Sequence, residues 1–207
     1  MMVSITHPFR TLRESGWGTR PNGGYQVSCV NILSSAGVEE SDELFMGEAL
    51  RAAQSALEAG EVPVGAVVVC DGKIVGRGGN RNLTDSDPTA HAEIVALREA
   101  GAAIGNHRLE CCELFATIEP CAMCAGALVH ARLKRLVYGA DDPKAGAIRS
   151  VMQVLNHPSL NHRMEVRGGI LAGRCAELLQ TFFRLRRREK SSVVGPQSSA
   201  ADEFPDD

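Results

Sequence analysis

The stretch VPVGAVVVC at 62–70 constrains the fold more than any other part of the chain. Nine residues without a charge, four of the last six β-branched or small and apolar, read as a buried strand. The Asp71-Gly72 pair behind it is a tight-turn signal that leads into KIVGRGG at 73–79, so the first two strands form a hairpin. Ahead of the hairpin, Ser41 is expected to cap a helix with Asp42 and Glu43 in its first turn. Phe45, Ala49, Ala53 and Leu57 share one face of it, and Gly60 ends it. Beyond the hairpin the pattern changes. Asp87-Pro88 has the form of a helix cap with proline in the first turn before AHAEIVALREAG. ELFATIE (113–119) is strand-like, Glu119-Pro120 opens another helix, and LKRLVYGA (133–140) and the shorter MEVRGGI (164–170) are strands. Residues 171–190 form a long last helix with Leu178, Leu179, Phe182 and Leu185 on its apolar side. A hairpin followed by helix–strand alternation predicts α/β layers around a mixed β-sheet.

A chain of 207 residues with 44% apolar and 23% charged side chains suits one sizeable core. No apolar run approaches the roughly 18 residues of a membrane helix, and the N-terminal stretch lacks the pattern of a secretion signal, which removes membrane and secretory readings. Seven cysteines, an odd number, then point to thiols in the cytoplasm. Cys29, Cys70, Cys111, Cys112 and Cys175 read as unpaired. Residues 1–40 carry no sustained apolar period and read as an irregular leader, 191–207 as a disordered acidic tail, and 41–190 as the folded unit.

Two short clusters carry the chemistry, His91-Ala92-Glu93 and Pro120-Cys121-Ala122-Met123-Cys124. Alone, a Cys-x-x-Cys pair fits a redox couple, half of a structural zinc site or two buried thiols. Together, one imidazole and two thiolates suit Zn²⁺ and leave one of its four tetrahedral positions for water, the mark of a catalytic site. Cys121 and Cys124 are three apart at a helix start, which sets both sulfurs on one face against the partly positive helix end. Glu93, two residues beyond the candidate ligand His91, points elsewhere and reads as the proton carrier for that water.

These two clusters resemble the zinc-dependent nucleoside and nucleobase deaminases, and within them the bacterial tRNA adenosine deaminases of the TadA type. The likeness extends through EVPVGAVVV, GGNRN, DPTAHAEIVALREAG, TIEPCAMCAGALVHARLKRLVYGA, DDPKAGA and the stretch from VLNHPSLNH to LRRRE, about 150 of the 207 residues. The resemblance implies a CMP/dCMP-type zinc deaminase domain at 41–190 with the three-layer αβα cytidine-deaminase-like fold, and a homodimer. It further implies deamination of adenosine to inosine at the wobble position of a tRNA anticodon. By the same resemblance Asn80 holds the purine, Ala92 and Cys121 offer backbone N–H groups near the reacting centre, and Asp142 lies near the target sugar. The chain departs from the pattern at Gly79, where relatives often carry an aromatic, and at Ala145, Ile148 and Arg149.

Net charge is −3, yet it divides unevenly. Residues 41–131 hold 6 Lys and Arg against 13 Asp and Glu, net −7; residues 132–190 hold 13 against 5, net +8. The basic half, including Arg132, Lys134, Arg135, Lys144, Arg149, Arg163 and the run at 184–190, suits phosphate contact with the anticodon stem-loop. Aromatics at 4% argue against a surface of stacked rings. Two other readings stay open at this point: a deaminase of free guanine or cytosine, and a zinc-stabilised RNA-binding protein without catalysis.

Overall fold

The computed structural model describes residues 35–193. Residues 1–34 of the expected leader and 194–207 of the expected tail lie outside the described residues, while 191–193, expected in the tail, are helical. The elements run α1 (Ser35–Glu58), β1 (Gly65–Cys70), β2 (Lys73–Gly79), α2 (Ala92–Ile104), β3 (Cys112–Ile118), α3 (Ala122–Ala131), β4 (Arg135–Ala140), a short 3-10 turn (Val154–Asn156), β5 (Glu165–Gly168) and α4 (Ala172–Val193). The five strands form one sheet in the order β2-β1-β3-β4-β5. β1 pairs antiparallel with β2 and β3, while β3–β4 and β4–β5 are parallel, so the mixed sheet is as the sequence implied.

Alternation along the strands builds two cores. Ala66, Val68, Leu114, Ala116, Leu136 and Tyr138 face the α2 and α3 side, where they meet Ala92, Ala96, Ala100, Ala125 and Leu128. Val67, Val69, Phe115 and Val137 face the other side and meet Met46, Ala49 and Cys175 of α1 and α4. A strand buried on both faces has no polar alternation to show, which explains the unbroken valines of β1. Each fully buried leucine among them contributes about 1.5–3 kcal/mol of transfer free energy. The result is three layers, helix–sheet–helix.

Several local expectations need correction. α1 starts at Ser35, so residues 35–40 are helical, not leader, and Ser41 sits inside it, with its hydroxyl donating to Val38 O at 2.9 Å. Its buried face is Met46, Ala49, Ala53 and Ala56, turned slightly from the 45/49/53/57 stripe. Asp42 does not serve the helix end. It is buried, accepts two bonds from Arg135 at 2.8 and 2.6 Å and one from Arg167 at 2.9 Å, and so fastens α1 to the β4–β5 edge. Asp87 is not a helix cap either: its carboxylate closes a local turn on Thr89, and α2 begins only at Ala92. On α4, Leu185 is exposed, so the inward face is Cys175, Leu179 and Phe182. Cys70, Cys112 and Cys175 are free thiols as expected, but Cys111 is disulfide-bonded. No helix among the described residues is long and apolar enough to cross a membrane.

Candidate active site

The site is made where two helices start. His91 and Cys121 occupy the residues just before α2 and α3, both with extended backbone (φ −69°, ψ 154° and φ −72°, ψ 175°), and neither side chain bonds to its own helix end. The imidazole and the thiol are therefore free to face each other across the gap. Three things draw the two ends together. Hairpin β1–β2 turns at Asp71 and Gly72, both at positive φ, which suits a two-residue turn. α2 then lies directly on β2, because Gly76 and Gly78 present no side chain to the Ala92, Ala96 and Ala100 backbone. On the other side, residue 121 bridges antiparallel to Gly146 and Ala147 N–H donates to Pro120 O at 2.9 Å, which fixes the start of α3.

His91 Nδ1 lies 3.6 Å from Cys121 Sγ and 3.5 Å from Cys124 Sγ, and the three ligand atoms are all within 4.8 Å of one another. Bonds of about 2.3 Å to sulfur and about 2.0 Å to nitrogen at a tetrahedral centre set N and S donors about 3.5 Å apart. The measured separations match that edge, so the donor set fits a four-coordinate ion by size as well as by chemistry. Cys124 is buried while His91 and Cys121 are half-buried, which leaves the cluster open on one side. Hydrogen bonds from Cys124 and His91 bring the Cys121 thiol down to about 3, and the same bond pushes Cys124 up. The bond to Cys121 also raises His91.

Glu93, in the first turn of α2, is 3% exposed, and burial holds its carboxyl above the usual carboxylate range. That is the direction a proton carrier near neutral pH needs. Asn80 directly follows β2, beside the start of α2. Its Oδ1 accepts the Ala92 N–H at 3.2 Å, so that N–H is already engaged, and its own N–H donates to Val64 O at 3.1 Å. Asp142 Oδ1 accepts the N–H groups of Lys144 and Ala145, a turn-forming role. Ile148 is buried, and Arg149 is paired with Asp141 at 2.8 Å. Of the cations assigned to phosphate, Arg135 is buried in its ion pairs with Asp42 and Glu113.

Two residues escaped the sequence reading. Glu61 and Glu119 are each 1% exposed, and each takes the backbone N–H groups of a loop beside the site: Leu83 and Thr84 for Glu61, and Asp142, Ile148, Arg149 and Ser150 for Glu119. The available signal was an acid set beside proline or valine in an otherwise apolar run, EVPV and TIEP.

Residues 40–187 match the family model of MafB19-like deaminases. A tRNA-specific adenosine deaminase of Haemophilus influenzae is 51% identical over 152 residues, 73% of this chain and 88% of that protein. The chain belongs to the tRNA-specific adenosine deaminase family. Another member, from Bacillus subtilis, is 44% identical over 152 residues, 73% of this chain and 94% of its own. Among solved structures, a tRNA:A34 deaminase studied for A-to-I editing at the wobble position of transfer RNA is 46% identical. It aligns with a TM-score of 0.64 over 66% of this chain and 99% of its own. The three-layer αβα architecture is thus the cytidine-deaminase-like fold of that family.

Proposed function

We propose that this chain catalyses the hydrolytic deamination of adenosine to inosine at the wobble position of a tRNA anticodon, using one Zn²⁺ per subunit. The observation that carries the reading is the triangle of His91 Nδ1 with the sulfurs of Cys121 and Cys124, at 3.5 and 3.6 Å, with Glu93 buried beside it. Kinship supports the substrate: the relatives above are tRNA-specific adenosine deaminases.

His91, Cys121 and Cys124 would hold the zinc, which when bound supplies a Lewis acid able to make water nucleophilic near neutral pH. The chain's own groups do the rest. Glu93 takes a proton from the attacking water and passes it to the ring nitrogen, then takes the second proton from the new C6 hydroxyl and delivers it to the amine, which leaves as ammonia as the C6–N bond breaks, so water and adenosine become inosine and ammonia. Its burial suits both directions of transfer. Asn80, fixed by Ala92 and Val64, orients the purine, and Asp142 stands near the ribose. An unpaired anticodon base suits this cleft because no duplex has to open. Exposed Arg184 and Arg188 on α4 meet phosphates, whereas Arg135 does not. The reading carries with it a homodimer and a cytoplasmic address, as the resemblance implies.

The test is incubation of the purified protein with unmodified tRNA transcripts, then sequencing for A-to-G changes at the wobble base. Deamination of free guanine with every tRNA unchanged overturns the proposal. An unaltered product yield from Glu93→Ala, with zinc retained, would rule out the proton-carrier role.

A further inference from the structure

We infer that Glu119 is a positioning residue that holds the 141–150 loop in substrate-ready shape before RNA arrives; the inference rests on the deaminase reading above. The loop is a wall of the metal cleft. Its Gly146 bridges to residue 121 and its Ala147 N–H donates to Pro120 O at 2.9 Å, so it runs directly beside a ligand cysteine. Exposed Lys144 and Arg149 stand on it, together with Asp142. That one bridge is its only ladder contact among the described residues; the N–H groups of Lys144, Ala145 and Gly146 bond within the loop to Asp142, which leaves both of its ends to be anchored from outside.

One carboxylate provides it. Glu119 Oε1 accepts the N–H groups of Ile148, Arg149 and Ser150 at 2.9, 2.7 and 3.0 Å, and Oε2 accepts that of Asp142 at 3.1 Å together with the Ser150 hydroxyl. Both ends of the loop thus hang from the same two oxygens. A carboxylate offers roughly four lone-pair sites, and five donors saturate them. The loop also wraps too closely for anything larger than glycine at 146, where a Cβ would fall on the Glu119 carboxylate. Glu119 touches neither the proposed ligands' metal-facing atoms nor Glu93 in any of these bonds, so its effect passes through the loop. A group that only braced the fold would change stability and metal content. A group that preforms an RNA-binding wall changes the RNA concentration at which the enzyme half-saturates.

The amide of a glutamine keeps one acceptor oxygen and turns two donors toward an N–H and a hydroxyl, so Glu119→Gln releases the Asp142 end with almost no change in volume. The experiment measures deamination of an anticodon stem-loop RNA by zinc-loaded wild type, Glu119→Gln and Ser150→Ala, alongside zinc content and residue-level amide exchange of the RNA-free proteins. Expected are a KM at least tenfold higher for Glu119→Gln with kcat within threefold and one zinc per chain, and a KM two- to threefold higher for Ser150→Ala. The amides of residues 142 and 148–150 should be protected in free wild type, and that of residue 142 exposed in Glu119→Gln. An unchanged KM, a fall in kcat alone, or free exchange of those amides in wild type overturns the inference. Should Glu119→Gln fail to fold, the Ser150→Ala kinetics and the wild-type exchange decide it. A wild type that leaves the RNA unaltered sinks the deaminase reading instead, and wild-type exchange still decides the clamp.

Discussion

Adding a single methyl group at Gly78 tests how the sheet sets the metal site. A Cβ there would fall on the Ala92 carbonyl oxygen, 2.6 Å from Ala96 N and 3.0 Å from Val95 Cβ. Comfortable separation is about 3.5 Å, and backbone cannot swing aside as a long side chain can, so α2 has to retreat by roughly 1 Å. His91 leads straight into α2 and moves with it, while Cys121 and Cys124 stay with α3. Zinc–ligand distances tolerate about 0.2 Å, five times less than the shift. Gly78→Ala should therefore lower zinc affinity about 10- to 100-fold, the range seen when support of a metal ligand is lost. Overpacking should also cost about 1–3 kcal/mol, or roughly 2–12 °C in Tm for a domain of this size. Zinc retained after dialysis against a graded chelator, with thermal melts, measures both. Gly47→Ala is the control: its Cβ meets open space within α1, and alanine there should leave zinc unchanged and raise stability slightly. A Gly78→Ala protein with wild-type zinc affinity and wild-type Tm would refute the claim that bare backbone contact sets the ligand spacing.

Three further outcomes follow from the same structure. Glu93→Gln should lower kcat by about 10²- to 10⁴-fold, the usual share of a positioned proton carrier, while metal analysis still finds one zinc per chain. Asp42→Ala strands the buried Arg135 guanidinium and loosens Arg167, so melting should reveal a loss of about 3–5 kcal/mol; a loss under about 1 kcal/mol would mean Glu113 and Glu165 suffice. Burial pushes Cys112 up to about 12 and Cys175 up to about 11, so the folded chain keeps protons that the unfolded chain releases from an ordinary value near 9. Stability should then fall as pH rises from about 9 toward 11, and Cys112→Val should flatten that slope in thermal melts.

The cluster of candidate ligands was legible because ligand chemistry restricts residue type and spacing at once: an imidazole, two thiols three apart and an acid two beyond the imidazole leave few uses. The hairpin was legible from Asp71-Gly72, since two consecutive residues at positive φ strongly favour such a pair. What stayed hidden was non-local. Ser41-Asp42-Glu43 imitates a helix start, but Asp42 answers to Arg135, 93 residues away, which no window along α1 can contain. Arg135 in turn was counted with the phosphate-facing cations because burial in a sheet does not show in a charge tally. Asp87-Pro88 imitates a cap through the turn it really forms on Thr89. Glu61 and Glu119 show only an acid in an apolar run, and their meaning lies in the loops they gather.

Because His91 and Cys121 spend their side chains on each other, neither caps its own helix in the usual way, and at α2 the Ala92 N–H goes to Asn80 instead. An ion gripped by these three side chains would therefore couple its own occupancy to helical order at the two ends. Stripping the protein with a chelator should fray both turns together, so a sample depleted of its ion is impaired in architecture as well as in chemistry, and reloading has to rebuild a fold before it restores a rate.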